Sequence, residues 1–312
     1  TPPAEWEETV STLAFNAINA GCNDPLIRYV RYRYGVKGPR RGGPEVAEAL
    51  LSAARELQSG GYPANVKFYA SLRAGEGLKL NATNTPPEVH ELRRACRDLL
   101  LEQLADATTP PEELHAMISG LLTAVRRNAQ QYPEFWQSIE PVMSERWGKH
   151  SFPHLLKAEH AVAAAWAARG TGYADSVSPE GWKTFGEQLD VAEKELRQAH
   201  RLDPASGRAA AEMVGLATGK GLPRAEMERW FLAAMIANPA NYEACARKLN
   251  YLQPKWHGSP EHVIAFGRQC ATNAVWEGRV PLILAEAHDG LAGYLKGEAR
   301  REYWLDPAVW QD

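Results

Sequence analysis

Apolar residues recur along the chain with the spacing expected of amphipathic α-helices. The clearest segment carries its apolar side chains at Leu114, Met117, Ile118, Leu121, Leu122 and Val125. This i, i+3, i+4 spacing places them on one face of a helix. Alternating runs of Val, Ile and Thr between turn residues, which indicate strands, are almost absent. The pattern therefore predicts an all-α protein.

Proline and hydroxyl residues mark where several of these helices begin. Two strings have the form of a helix start: Thr85-Pro86-Pro87-Glu88 and Thr109-Pro110-Pro111-Glu112. In each we predict that Thr is the N-cap, that Pro takes the first helical position and that Glu completes a capping box. Ser178 and Ser259 precede Pro in the same way, and we expect both to cap helices. We predict helices near residues 5–20, 24–34, 44–58, 62–74, 86–106, 110–130, 133–147, 154–169, 179–201, 205–219, 223–237, 240–252, 260–274 and 280–296.

Composition and charge exclude several classes of protein. The 312 residues are 45% hydrophobic and 23% charged, which is typical of globular proteins and not of disordered chains. Lys plus Arg is 35 and Asp plus Glu is 38, so the net charge of −3 argues against a dedicated nucleic-acid-binding protein. No apolar run reaches about 18 residues, and we therefore expect no membrane span.

Motifs for metals, nucleotides and nucleophiles are missing from the sequence. The four cysteines are widely spaced, the histidines form no ligand set, and no phosphate-binding loop or nucleophile elbow occurs. We therefore expect neither a metal nor a cofactor. Because the chain begins at Thr1 rather than Met, we expect a processed or truncated product, either cytoplasmic or exported after removal of a signal. The oligomeric state stays open.

The second half of the sequence contains a repeat. Leu196, Ala199 and Pro204 have the same spacing as Phe231, Ala234 and Pro239, and the two prolines are 239 − 204 = 35 residues apart. This period resembles that of the tetratricopeptide repeat, in which a small Ala lets two helices approach and Pro ends the second helix. We place the boundary at the break near Gly148–Pro153, so that an N-terminal helical region spans 1–150 and a repeat region with a tail spans 151–312.

A narrower resemblance rests on three strings within the repeat region. They are Ala165-Trp166-Ala167-Ala168-Arg169-Gly170-Thr171-Gly172-Tyr173-Ala174, then Trp182-Lys183-Thr184-Phe185, and Tyr251-Leu252-Gln253-Pro254-Lys255-Trp256-His257-Gly258-Ser259. Together they resemble a bacterial domain family of unknown function that is related to tetratricopeptide repeats, over roughly residues 155–275. The resemblance implies stacked antiparallel helical hairpins, a tetratricopeptide-like α-solenoid, and brings no catalytic residues. We expect Trp166, Trp182, Trp230 and Trp256 to pack between the hairpins.

One basic segment near the start of the chain is a candidate anion-binding site. Residues 28–41 contain no Asp or Glu, and several of their arginines alternate with tyrosines. The arginines are Arg28, Arg31, Arg33, Arg40 and Arg41. Such a segment suits an acidic partner or an anion, and its tyrosines and arginines would also suit the bases and phosphates of a nucleic acid, which the acidic net charge disfavours. The alternative is an ordinary helix that buries its apolar stripe and leaves the arginines in solvent.

Stacked hairpins favour a protein-interaction function, because they create a long concave surface. We predict that this surface binds a peptide or protein partner, and not nucleic acid. In tetratricopeptide-like arrays the first helix of each hairpin lines the concave surface, and here these helices are predicted near 154–169, 205–219 and 240–252. Their polar residues that packing does not require are Lys157, His160, Glu212, Asn241, Arg247 and Lys248. Of these, Arg247 and Lys248 are the best candidates for holding peptide carboxylates. Two alternatives stay open: an enzyme with a pocket between the N-terminal helices and the array, or a structural subunit of a larger assembly.

Overall fold

The computed structural model describes residues 4–35, 43–74, 85–126, 128, 130–172, 174–276 and 278–312. Within these ranges the chain is all-helical, with 16 α-helices and no strand. The chain divides into two compact units, Thr1–Trp147 and Gly148–Asp312. Among the described helices, none combines the length and the apolar character needed to cross a lipid bilayer.

The described residues of the first unit form seven helices, which pack mainly against their neighbours in sequence. They are α1 (Ala4–Asn19), α2 (Pro25–Gly35), α3 (Pro44–Ser59), α4 (Ala64–Arg73), α5 (Pro87–Ala105), α6 (Pro111–Val125) and α7 (Gln131–Trp147). The apolar stripe predicted for residues 114–125 is buried along its length. Leu57, Phe68, Met117 and Phe135 are among the largest fully buried side chains, and they come from α3, α4, α6 and α7.

The second unit contains nine α-helices and two short 3-10 turns among its described residues. The helices are α8 (Ser151–Arg169), α9 (Pro179–Leu202), α10 (Arg208–Lys220), α11 (Arg224–Ala237), α12 (Tyr242–Tyr251), α13 (Pro260–Thr272), α14 (Ile283–Ala292), α15 (Gly297–Leu305) and α16 (Pro307–Gln311).

Contacts along these helices define their directions. α8 and α9 are antiparallel, because Trp166 lies against Phe185 near one end and His154 against Glu195 near the other. α10 packs on α9, α11 and α12. It runs parallel to α12, since Glu212 contacts Arg247 and the Thr218 carbonyl accepts a bond from His257 beyond the end of α12.

The helix starts differ in detail from those predicted. Helices α5 and α6 begin at the second proline of each string, so the first proline, whose side chain cannot cap, stands at the N-cap. The expected caps by Thr85 and Thr109 are therefore wrong, because each Thr lies one residue too early. Ser178 and Ser259 do cap their helices, accepting bonds from the backbone N–H groups of Gly181 and His262.

The predicted helix near 280–296 is shorter than expected. A 3-10 turn at Val280–Leu282 precedes α14, and α14 ends before Gly293. Gly297 has a φ of +53°, which redirects the chain into α15. Neither α15 nor α16 was predicted, because their apolar positions do not form a continuous stripe.

The three sequence strings meet in one aromatic cluster of the second unit. The ring of Trp166 lies 5.0 Å from that of Phe185 and 6.0 Å from that of Trp256, between centroids. The guanidinium of Arg169 stacks between Trp166 and Trp182, 5.6 and 5.4 Å from their centroids. Trp166 and Trp256 are partly buried, as expected, whereas Trp182 lies at the surface with one ring face against Arg169.

Ala199 and Ala234, the paired alanines of the repeat, are both fully buried, as the repeat predicts. Ala199 lies in α9 and Ala234 in α11, and both helices pack on α10, which lies between them in the sequence.

We expect Ala234→Leu to lower the free energy of unfolding by about 1–3 kcal/mol, because the added methyl groups overpack the core. Ala225→Leu is the matched control, since Ala225 is exposed in the same helix and should change stability by less than about 0.5 kcal/mol. Urea unfolding measures both; equal stabilities would contradict the tight packing.

Gly258 allows the chain to turn back on Leu252 after α12. A Cβ at this position would collide with the Leu252 carbonyl oxygen and lie 2.7 Å from its Cα. We expect Gly258→Ala to lower the free energy of unfolding by about 1–3 kcal/mol, because backbone atoms must move apart. Gly186 in α9 has open space around it, and Gly186→Ala should instead stabilise by about 0.5–1 kcal/mol through helix propensity. Urea unfolding of the two variants should therefore give opposite signs.

Candidate functional site

Two of the predicted partner-binding residues come together where α10 and α12 run side by side. The Arg247 Nη2 donates to Glu212 Oε1 over 2.6 Å, and its Nη1 lies 3.9 Å from Glu243 Oε2. The side chain of Arg247 crosses α10 at Gly215, where a Cβ would stand 3.1 Å from its Cδ and Nε. Glycine at 215 thus lets the guanidinium lie flat on α10 and reach Glu212.

The Glu212–Arg247 pair is partly shielded from water. Their side chains are 26% and 28% exposed. Desolvation raises the pKa of Glu212, with a further contribution from the nearby Glu243, while Arg247 opposes the shift. The pair therefore places a guanidinium and a carboxylate, fixed in position, at the surface between two parallel helices. Such groups can bind peptide side chains or backbone polar groups.

Lys248 does not lie on this surface. Its side chain is 7% exposed and its Nζ lies 2.6 Å from Glu228 Oε2. The ammonium also sits 4.2 Å and 4.6 Å from the ring centroids of Phe231 and Phe266. The expectation that Lys248 is a solvent-facing contact is therefore corrected: it shares the buried face of α12 with its apolar neighbours one turn before it, Ala244 and Cys245.

The remaining predicted residues have separate positions. The Asn241 side chain caps α12 by accepting a bond from the Ala244 backbone N–H over 3.1 Å. Lys157 and His160 lie partly buried on α8, and each has interactions of its own. Glu212 and Arg247 are joined by a direct contact, whereas Asn241 and Lys248 contact residues outside the predicted set.

Sequence reasoning missed a second polar contact, which joins α12 to α14. The Tyr242 hydroxyl donates to Glu286, and the Arg279 guanidinium lies 4.5 Å from the Tyr242 ring centroid. Glu286 raises the pKa of Tyr242 by accepting this bond. The partners are 44 residues apart, so no local sequence pattern could have linked them.

The arginines of the basic segment have different neighbours. Arg28 forms an ion pair with Glu56, Arg31 stacks on Phe15 at 4.8 Å from the ring centroid, and Arg33 lies near Tyr34. Arg40 and Arg41 lie outside the described residues. The three described arginines therefore do not converge on one point, and the anion-binding role stays a prediction.

Cysteine and metal chemistry have little support in the part of the chain that the structure describes. In that part, no group of three or more His, Cys, Asp or Glu side chains could hold a metal ion. Cys96, Cys245 and Cys270 are buried free thiols. Burial raises the pKa of Cys96 to about 12, so this thiol is not a reactive thiolate at neutral pH.

Comparison with known proteins gives no match: no protein-family model and no curated protein is similar to the chain.

The raised pKa of Glu212 predicts a pH-dependent effect of Glu212→Gln. A carboxyl whose folded-state pKa exceeds its ordinary 4.5 favours the folded state below that pH, and this contribution is lost as the pH rises through the folded-state pKa. The free energy of unfolding of the variant minus that of the wild type should therefore rise as the pH increases from about 4.5 to about 7. Urea unfolding across this range measures it.

The matched control for this prediction is Glu187→Gln, which removes the same charge from an exposed position of α9. Its stability difference from the wild type should change little with pH. A difference for Glu212→Gln that is constant, or that falls as the pH rises, would contradict the raised pKa.

Proposed function

We propose that the second unit is a tetratricopeptide-like stack of helical hairpins that acts as a protein-interaction scaffold. Its partner, a peptide or protein segment, would lie along the face made by the first helices, α8, α10 and α12. Membership of the tetratricopeptide-related family of unknown function belongs to the same proposal, supported by the aromatic cluster in which its three strings meet.

The contact between Glu212 and Arg247 is the observation that carries this proposal. The two residues are 35 residues apart, which is also the spacing of Ala199 and Ala234. Side chains one repeat apart therefore touch across parallel helices, as expected when successive hairpins stack with their first helices adjacent. This stacking leaves a continuous surface on one side of α10 and α12.

The chemistry of this face favours binding over catalysis. Its contacts include the ion pairs of Glu212 and Glu243 with Arg247, and the bond from Tyr242 of α12 to Glu286 of α14. Among these contacts there is no hydroxyl or thiol nucleophile bonded to a histidine base. Fixed, partly shielded charges instead provide directional contacts for a ligand at little cost in side-chain entropy.

The test selects binders for the full chain from a displayed library of random peptides. We expect peptides that bind the wild type and lose at least about fivefold in affinity for Arg247→Ala, equivalent to about 1 kcal/mol. Arg229→Ala is the matched control, because Arg229 is exposed on α11 and its removal changes the charge equally. Urea unfolding should show that both variants remain folded.

Two results would contradict the proposal. One is a library that yields no binder of the full chain. The other is a set of binders whose affinity is the same for Arg247→Ala and the wild type, which would move the binding surface away from α10 and α12.

A further inference from the structure

Residues 297–312, which we call the arm, comprise α15, α16 and Asp312. None of its residues is buried, and Leu305 and Trp310 are among the exposed large apolar side chains of the protein. The ring of Trp310 contacts that of Trp304 within the arm itself. The arm therefore has no apolar core that would fix it to the rest of the second unit.

Polar contacts instead hold the arm to α13 and α14. Arg268 of α13 donates from Nε and Nη2 to the two carboxylate oxygens of Asp312, each over 2.8 Å. His288 of α14 contacts the arm at two points, with Nε2 3.2 Å from Asp312 Oδ2 and Nδ1 2.8 Å from the Tyr303 hydroxyl in α15. These contacts join residues that are up to 44 positions apart in the sequence.

This arrangement has the geometry of a carboxylate-recognition site. A guanidinium that donates two parallel bonds to one carboxylate is the strongest and most specific form of this contact. The His288 side chain is 8% exposed, so it is a fixed part of the protein body, while Arg268 is 59% exposed and can be reached from solvent. The bond from Arg268 holds the pKa of Asp312 below its usual value, which shows that the site favours the ionised carboxylate.

We propose that Arg268 and His288 form a carboxylate-binding site that Asp312 occupies within the same chain, and that an acidic peptide segment of a partner binds there by displacing the arm. The arm is the model for this ligand: it offers one carboxylate and one aromatic hydroxyl to the two body residues. Because none of its residues is buried, a competing segment needs to replace these polar contacts, the ion pair between Arg300 and Asp289 and the ring contact of Tyr303 with His288. The site lies on α13 and α14 and does not depend on the function proposed for Glu212 and Arg247.

The test measures binding of a synthetic peptide to the full chain. The probe is a fluorescein-labelled, amidated peptide with the sequence of residues 302–312, followed by fluorescence anisotropy. We expect it to bind Asp312→Asn at least about tenfold more tightly than the wild type, because the attached arm no longer competes at high effective concentration. Binding should weaken at least about tenfold when Arg268→Gln is added, and likewise when the peptide carries Asn in place of its final Asp.

A control separates the site from general charge effects. Arg229→Gln, combined with Asp312→Asn, removes an equally charged exposed arginine from α11 and should leave peptide binding unchanged. Hydrogen exchange of the backbone amides in residues 297–311 should show faster exchange in Asp312→Asn than in the wild type, while the exchange of α13 and α14 stays protected.

Three results would overturn the proposal. Unchanged exchange in Asp312→Asn would mean that the carboxylate does not hold the arm. If the peptide bound equally to Asp312→Asn with Arg268 and with Arg268→Gln, its tryptophans rather than its carboxylate would hold it on the protein. Exchange that shows a released arm, combined with no peptide binding to Asp312→Asn, would mean that the site accepts no carboxylate from another molecule.

Discussion

The close packing of α10 against its neighbours is the constraint on which the second unit depends. This helix presents small residues where other helices approach, with Ala210, Ala211 and Ala217 buried in the core. Gly215 receives the Arg247 side chain, and Gly219 receives Leu189, Phe185 and Trp166. Helix pairs this close gain many dispersion contacts, and a larger residue at either glycine would push α9 or α12 away.

Charged side chains complete this packing at the edges of the helices. Lys220 of α10 bonds to Asp190 and Glu193 of α9, while Arg197 of α9 bonds to Glu226 of α11. Lys248 shows the same principle inside the core. Its burial is costly, and the carboxylate of Glu228 and two aromatic rings offset that cost. Ion pairs therefore join the edges of helices whose buried faces are apolar.

The two surfaces proposed for binding differ in how their charges are arranged. Between α10 and α12, Arg247 is matched by carboxylates of the helices themselves, so a partner meets a surface that is already neutralised. On α13 and α14, Arg268 is matched by Asp312 of the arm, none of whose residues is buried. Under the proposal, a partner competes with Asp312 for Arg268, whereas Arg247 keeps its pairs with Glu212 and Glu243.

The sequence by itself determined the helical class and nearly every helix, because helix formation follows local periodicity. It also determined that the paired alanines of the repeat are buried, because Ala199 and Ala234 are small residues on apolar helix faces. Only the tertiary structure decided which charged residues face solvent. Arg247 and Lys248 are adjacent in sequence, yet Gly215 of α10 gives one a surface position and two rings of other helices enclose the other. The anchoring of Asp312 by Arg268 was equally hidden, because it joins residues 44 positions apart and leaves no local pattern.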